Sequence, residues 1–297
     1  MRKLQVLQTL FLAFTLGFAA GAAVAAPGAD APVVIWAAGD IGYCGPSGPA
    51  SAPAARTARL MAGDTHPVLA LGDLAYPRGR QRDFDECFAP AWGSLRPRLL
   101  PVPGNHDYDT RGALPYYRYV EGLAPDAGRG YYALRLGAWR VIALNSNVDA
   151  RPGSEQLRWL RAELAARGSR CTLAFWHHPR FSSGDHGDDD RMDAAWRLLH
   201  EAGADLVLAG HDHDYERFAP LDADGRPDPL RGMRQFVVGT GGAPLRRFSE
   251  IRPGSEARNA ETYGALRLTL RDGGYDWAFV PVDGQTFRDS GSGHCRD

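Results

Sequence analysis

The chain has 297 residues, enough for one large domain or two small ones. Its formal net charge is −1, from 34 basic and 35 acidic residues, so the composition shows no net basic charge that would point to nucleic-acid binding. The 7 Trp, 11 Tyr and 12 Phe residues can build a substantial core.

The N-terminus has the pattern of an export signal. Arg2 and Lys3 precede a mainly apolar stretch, 4–26, that ends in small residues around Ala23-Val24-Ala25. We therefore predict a cleaved signal peptide over 1–26, a secreted or periplasmic protein and no membrane association after cleavage. The alternative is an uncleaved anchor, for which the continuous apolar run 10–26 is short, since a membrane span takes about 20 residues.

Seven short apolar runs follow, and each ends in glycine or asparagine with polar residues behind it. Continuous apolar runs of this length are typical of strands that are buried on both faces. The runs are 33–40, 67–73, 99–107, 141–147, 172–179, 205–213 and 235–242.

Helical patterns lie between several of these runs. Helices are predicted over 53–61, over 154–167 with Ser154 as the N-cap, and over 190–202. The alternating segment 262–282, with Asp-Gly-Gly at its centre, predicts a β-hairpin. These elements indicate an α/β fold with two packed sheets, helices outside and a single domain.

The mature chain keeps four cysteines, Cys44, Cys87, Cys171 and Cys295. An even number in an exported protein favours two disulfides, and four cysteines allow three pairings. Of these we favour Cys44–Cys87 and Cys171–Cys295. A zinc site built from these cysteines is not predicted, because none of them has C-x-x-C spacing.

Five of the predicted strand ends carry groups that bind hard or borderline cations. A single Gly-Asp or Gly-Asn is usually a turn, but turns do not explain five such ends in succession. Oxygen and imidazole ligands suit Fe, Zn and Mn better than soft copper. The groups are Asp40; Asp73 with Tyr76; Asn105 with His106 and Asp107; His177; and His211 with His213.

The order and spacing of these groups resemble the calcineurin-like metallophosphoesterases and, within them, the purple acid phosphatases. The family blocks are GDxG, GDxxY, GNH(D/E), VxxH and GHxH. This chain reads GDIG (39–42), GDLAY (72–76), GNHD (104–107), AFWH (174–177) and GHDH (210–213), so only the valine of the fourth block is missing. The resemblance implies a four-layer α/β/β/α sandwich of two mixed sheets, which we place at 33–289.

The resemblance also implies a pair of metal ions. The first would be Fe(III), held by Asp40, Tyr76 and His213. The second would be a divalent Fe, Zn or Mn ion, and Asp73 would bridge the two. The ligands of the second ion would be Asn105, His177 and His211. The hard phenolate of Tyr76 favours Fe(III), whereas neutral amide and imidazole ligands suit a divalent ion.

The histidine of the fourth block is doubled, as His177-His178-Pro179. The family ligand stands two residues before the proline, which selects His177. If that choice is wrong, His177 and His178 exchange roles.

The implied reaction is hydrolysis of phosphate monoesters by attack of a metal-bound hydroxide on phosphorus. His106 would protonate the leaving group or bind the phosphate. His186 corresponds to a second active-site histidine of some members; the alternative is a solvated loop residue. Asp107 either orients His106 or belongs to a turn.

The implied partner is a small phosphorylated substrate, and no nucleic-acid partner is expected. Two alternatives stay open. One is a phosphodiesterase or nucleotidase on the same centre. The other, of a different class, is a non-catalytic scaffold that keeps the metals for structure or binding. The physiological substrate, the second metal and the oligomeric state do not follow from the sequence.

Overall fold

The computed structural model describes residues 31–45, 48, 52–125, 127–166 and 168–296, and the predicted signal peptide lies outside them. In these residues 13 strands form two mixed sheets. The first sheet has the order β13-β12-β11-β1-β2-β3 and the second has the order β10-β8-β9-β7-β6-β5-β4. The strands are β1 Val33–Ala38, β2 Val68–Leu71, β3 Leu99–Val102, β4 Tyr132–Leu136, β5 Trp139–Ala143, β6 Cys171–Phe175, β7 Leu206–Ala209, β8 Tyr215–Leu221, β9 Met233–Val238, β10 Ser255–Asn259, β11 Gly264–Arg271, β12 Gly274–Pro281 and β13 Ser290–His294.

Helices cover the outer face of each sheet. Short π-helical and 3₁₀ segments join some of them, at Phe84–Phe88, Gly93–Arg98, Arg111–Ala113, Ala127–Arg129 and Asp190–Met192. The α-helices are α1 Pro53–Met61, α2 Gln81–Asp83, α3 Ala89–Trp92, α4 Asn105–Tyr108, α5 Leu114–Val120, α6 Glu155–Ala165 and α7 Asp193–Glu201. Among the described residues, no helix is both long and apolar enough to cross a membrane.

The central strands bury both faces, as their continuous apolar runs predict. In β2, Leu69 and Leu71 lie in the core between the two sheets, whereas Val68 and Ala70 pack with the helices outside the first sheet. In the second sheet Val207 of β7 packs in the cluster that contains residues of α6 and α7. The predicted α/β/β/α sandwich is therefore confirmed.

Several local predictions are confirmed as well. Helix α1 has the predicted bounds. The Ser154 side chain caps α6 by accepting a hydrogen bond from the Leu157 N–H at 3.2 Å, although the helix ends at Ala165 rather than at 167. Strands β11 and β12 form the predicted hairpin. Both favoured disulfides, Cys44–Cys87 and Cys171–Cys295, are present.

Strands β4, β8, β10 and β13 were not predicted. The polar sequences of β10 (SEARN) and β13 (SGSGH) contain no apolar run, and both strands lie at sheet edges with largely accessible side chains. These two edge strands have no fully buried residue, and so they leave no apolar signal in the sequence. β13 begins one residue beyond the range 33–289, which stays a prediction.

Candidate metal centre

The predicted ligands follow five parallel strand ends that meet at one place. Strands β1, β2 and β3 run parallel in the first sheet, and β6 and β7 run parallel in the second. Carboxyl ends of parallel strands share one edge of a sheet, where loops bring active groups together. Each strand end carries one residue of the set, two or three positions after its last strand residue: Asp40, Asp73, Asn105, His177 and His211. Both sheets therefore contribute to the site.

Three of these residues have a left-handed backbone. The φ angles are 59° at Asp40, 49° at Asp73 and 71° at His211. In the described residues the one other non-glycine with positive φ is Ala113. This conformation costs about 1–2 kcal/mol for an L-residue, and such costs concentrate at functional sites. The strain thus falls at the positions that the sequence assigns to metal ligands.

The first group of predicted ligands converges on the Tyr76 hydroxyl. Its oxygen lies 3.0 Å from Asp40 Oδ1, 3.0 Å from Asp73 Oδ2 and 3.1 Å from His213 Nε2. All four side chains are buried. A phenol has one proton and can satisfy only one of the three acceptors. A cation would satisfy all of them, so the donor set fits a metal ion.

The second group converges on His177 Nε2. This nitrogen lies 3.1 Å from Asn105 Oδ1 and 3.4 Å from Asp73 Oδ2. The His211 ring centroid is 5.1 Å from that of His177. Asp73 thus touches both groups through the same carboxylate, which fits a residue shared by two cations.

Main-chain groups orient the predicted ligands. His177 Nδ1 donates to the Leu71 carbonyl and His213 Nδ1 donates to the Pro244 carbonyl, each at 2.8 Å. Donation through Nδ1 leaves Nε2 of both rings directed at the centre, the arrangement expected of histidine ligands.

The two adjacent histidines differ in their contacts. Both ring nitrogens of His178 are occupied: Nδ1 lies 2.7 Å from Ser146 Oγ, and Nε2 lies 3.2 Å from Arg191 Nη1. Burial and the charge of His177 lower the pKa of His178 far below its usual value. His177 instead turns Nε2 towards Asn105 and Asp73, which favours His177 as the ligand.

The charges of the centre are unbalanced without a cation. Burial, with Asp40 and Asp73 close by, raises the pKa of Tyr76 well above its usual value, so the phenol loses its proton only to a strong positive charge. Burial lowers the pKa of His177, but Asp73 raises it to about 9. Burial and the charge of His177 lower the pKa of His211 to about 3, which keeps that imidazole neutral and able to coordinate. A proton on His177 stands where a metal would place its charge.

His106 lies beside the centre rather than in it. Its Nδ1 is 2.7 Å from the Pro77 carbonyl, its ring packs on Tyr76 with centroids 4.4 Å apart, and Nε2 is 3.9 Å from Asp73 Oδ2. The side chain is 30% exposed, so part of it is accessible from solvent.

Asp107 does not contact the His106 ring. Its buried carboxylate accepts hydrogen bonds from the N–H groups of Gly104, at 2.9 Å, and Leu74, at 3.2 Å. These bonds tie the turn after β3 to the turn after β2, so of the two predicted roles the turn is the one that the contacts support.

His186 also reaches the site. Its ring packs on His211 with centroids 4.2 Å apart, and its Nδ1 donates to Asp212 Oδ1 at 2.9 Å. Asp212 was not predicted as part of the site. The sequence signal is only its position between His211 and His213, because His211 has a left-handed backbone and the alternation of side chains along an extended chain does not apply there.

The comparisons agree with the pattern of blocks. The sequence model of the calcineurin-like phosphoesterases matches residues 33–215. An uncharacterized protein of Mycobacterium tuberculosis is 33% identical over 217 residues, which cover 58% of this chain and 41% of that protein. Purple acid phosphatase 21 of Arabidopsis thaliana is 29% identical over 222 residues, covering 68% of this chain and 50% of the relative.

Among solved structures, a purple acid phosphatase from yellow lupin (Lupinus luteus) seeds superimposes with a TM-score of 0.77 at 20% identity, covering 90% of this chain and 54% of that one. At this identity the likeness is one of fold. The chain spans about half the length, or less, of the curated relatives that it matches.

Proposed function

Because this chain belongs to the calcineurin-like phosphoesterase family, we propose that it is an exported hydrolase of phosphate monoesters with an Fe(III) and a divalent ion at its centre. The observation that carries the proposal is the convergence on Tyr76. One phenol oxygen lies within 3.1 Å of acceptor atoms of Asp40, Asp73 and His213, all buried. A phenolate is a hard ligand that favours Fe(III).

The second ion would be held by Asn105, His177 and His211, with Asp73 between the two. Two bound cations would supply positive charge for the phosphoryl oxygens and lower the pKa of water to near neutrality. The chain's own residues supply the orientation. The His106 N–H donates to Asp73 Oδ1 at 2.8 Å and fixes that carboxylate, while the His211 N–H donates to Asp40 Oδ2 at 2.9 Å.

His106 is placed to move a proton. Donation of Nδ1–H to the Pro77 carbonyl at 2.7 Å holds the ring, and Nε2 then lies 3.9 Å from Asp73 Oδ2. With Nδ1–H held in this way, Nε2 must first take up a second proton; the resulting imidazolium gives that proton to the leaving oxygen of the ester and returns to the neutral Nδ1–H form, a role that needs no contact with the metals. The partial exposure of the side chain lets the same atom exchange its proton with water.

Export is supported by the two disulfides, since such bonds persist in oxidising compartments. The signal pattern over 1–26 supports the same location. A secreted or periplasmic protein is therefore part of the proposal.

The first test is the visible absorption spectrum of the purified protein beside a Tyr76→Phe variant, with iron, zinc and manganese measured in both. We expect a broad charge-transfer band that disappears in the variant. Protein that holds two metals but has no band would contradict the Fe(III)–phenolate assignment and would leave Tyr76 beside an iron-free pair.

The same preparation tests the reaction. We expect faster hydrolysis of 4-nitrophenyl phosphate than of bis(4-nitrophenyl) phosphate, because the proposal is a monoesterase. The opposite order would support the phosphodiesterase alternative. Hydrolysis of neither compound by fully metal-loaded protein would support the non-catalytic scaffold.

A further inference from the structure

The loop after β9 is fastened to the candidate metal centre. The Ala243 N–H donates to the Asp40 carbonyl at 2.8 Å, and the Pro244 carbonyl accepts from His213 Nδ1 at 2.8 Å. The Arg246 N–H then donates to the His213 carbonyl at 3.0 Å. Hydrogen bonds with two predicted ligands of the first cation, Asp40 and His213, therefore fix the backbone of the loop that carries Arg246.

The Arg246 side chain reaches His186. Its Nη1 lies 3.2 Å from His186 Nε2 and 3.4 Å from Asp185 Oδ2. A guanidinium only donates, so Nε2 of His186 must accept. The imidazole proton is then on Nδ1, which donates to the buried Asp212 carboxylate at 2.9 Å. In this tautomer Nε2 carries no proton for a leaving group.

This chain of contacts ends beside the metal ligands. The His186 ring packs on His211 with centroids 4.2 Å apart and planes inclined by 33°. The Arg246 side chain is 42% exposed, so it is accessible from solvent while it contacts His186.

We propose that Arg246 binds the phosphoryl oxygens of the substrate, and that Asp212 and His186 position its guanidinium. This inference rests on the proposed function. In the described residues, the side-chain hydrogen bonds of Arg246 all use Nη1, which leaves Nη2 and Nε to an anion. Arginine presents such donors as a planar fork that matches two phosphate oxygens.

The neighbouring Asp185 carboxylate meets Nη1 of Arg246 and does not occupy the Nη2 and Nε donors. Asp185 is 56% exposed and meets Arg246 at 3.4 Å, a surface ion pair of the kind that contributes little. Asp212 differs, because it is fully buried and accepts from both the backbone N–H and the ring of His186. The Arg246 guanidinium is therefore positioned by His186, which the buried Asp212 carboxylate holds, rather than by Asp185.

The test measures binding of inorganic phosphate to metal-loaded protein by calorimetry, with the metal content of each variant determined first. Arg246→Gln is expected to raise the dissociation constant about ten- to a hundredfold, the usual effect of losing a charged hydrogen bond. Arg246→Lys is expected to recover part of the loss. Arg247→Gln is the matched control, since the neighbouring Arg247 is exposed and should change the constant less than threefold. Equal dissociation constants for the two glutamine variants would overturn the proposal.

The positioning role has its own readout. His186→Ala should weaken phosphate binding, and adding it to Arg246→Gln should weaken binding no further, because both changes remove the same contact. Additive losses would show that His186 binds the anion itself and would overturn the positioning role. In monoester hydrolysis, Arg246→Gln should raise KM more than it lowers kcat.

The two proposals fail separately. Wild-type protein that binds phosphate through Arg246 but hydrolyses no monoester would contradict the proposed function and support the binding role of Arg246. If the wild-type protein hydrolyses monoesters and Arg246→Gln has the same KM and kcat, only the role of Arg246 is contradicted.

Discussion

Three histidines of the site make the same kind of hydrogen bond but differ in the exposure of their side chains. His106, His177 and His213 each direct Nδ1 at a main-chain carbonyl within 2.8 Å. The side chain of His177 is fully buried and that of His213 is 5% exposed, whereas that of His106 is 30% exposed. The same orientation therefore gives two rings suited to coordination and one suited to exchanging a proton with a substrate.

Substitutions at His106 and at the predicted ligand His211 should both lower activity but should differ in metal content. His106→Ala should lower kcat by at least about a hundredfold, the usual contribution of a general acid, while both metals stay bound. His211→Ala should lose the second metal as well as activity. Elemental analysis of the purified variants beside their kcat values distinguishes the two. Loss of metal from His106→Ala would mean that His106 is a ligand.

At the scale of the elements, the turns that follow the strands determine the positions of the predicted ligands. Gly104, which precedes α4, has φ −105° and ψ −177°, a conformation open to any residue. A Cβ at this position would nevertheless overlap the Asp73 backbone nitrogen and carboxylate. Glycine is required there because two turns touch, and not because the backbone is left-handed.

Gly104→Ala should therefore push Asp73 out of place. We expect lower occupancy of both metals and a free energy of unfolding reduced by about 1–3 kcal/mol, the usual cost of overpacking. Gly63→Ala is the control, since a Cβ there meets no atom within 4 Å. Elemental analysis and urea unfolding of the two variants check this, and full metal occupancy in Gly104→Ala would contradict it.

The sequence predicts some elements and residues better than others, for physical reasons. Strands such as β2 and β7 were predicted because burial on both faces demands an apolar residue at every position. The predicted runs extended past the strand ends because the ligand turns follow without a break. Arg246 could not be predicted, since its place depends on hydrogen bonds to His213, a residue far away in the chain. A lone loop arginine carries no local signal.

At the scale of the whole molecule, the C-terminal end is fastened to the second sheet. Cys295 is bonded to Cys171 at the start of β6, the strand that leads to His177. The Asp205 carboxylate accepts from the Arg296 N–H at 2.7 Å and from the Thr172 N–H at 2.8 Å. Cys295 and Arg296 thus brace the strand that leads to the predicted ligand His177.

The two disulfides should differ in their contribution to stability. Chain-entropy estimates give about 5 kcal/mol for Cys171–Cys295 and about 4 kcal/mol for Cys44–Cys87, because the sequence separations are 124 and 43 residues. Urea unfolding of the Cys171→Ala/Cys295→Ala protein should show the larger loss, with Cys44→Ala/Cys87→Ala as its counterpart. A larger loss in the second protein would contradict the estimate.

The predicted ligands come from both sheets, and this has a mechanical consequence. Asp40, Asp73 and Asn105 follow strands of one sheet, whereas His177 and His211 follow strands of the other. Metal ions held between these residues would link the two sheets. They would stabilise the folded state, in which the sheets are packed together, by mass action. A chelator would then do more than stop catalysis. It would remove this link between the sheets, and the backbone amides of both sheets would then exchange with deuterium faster than in the metal-loaded protein.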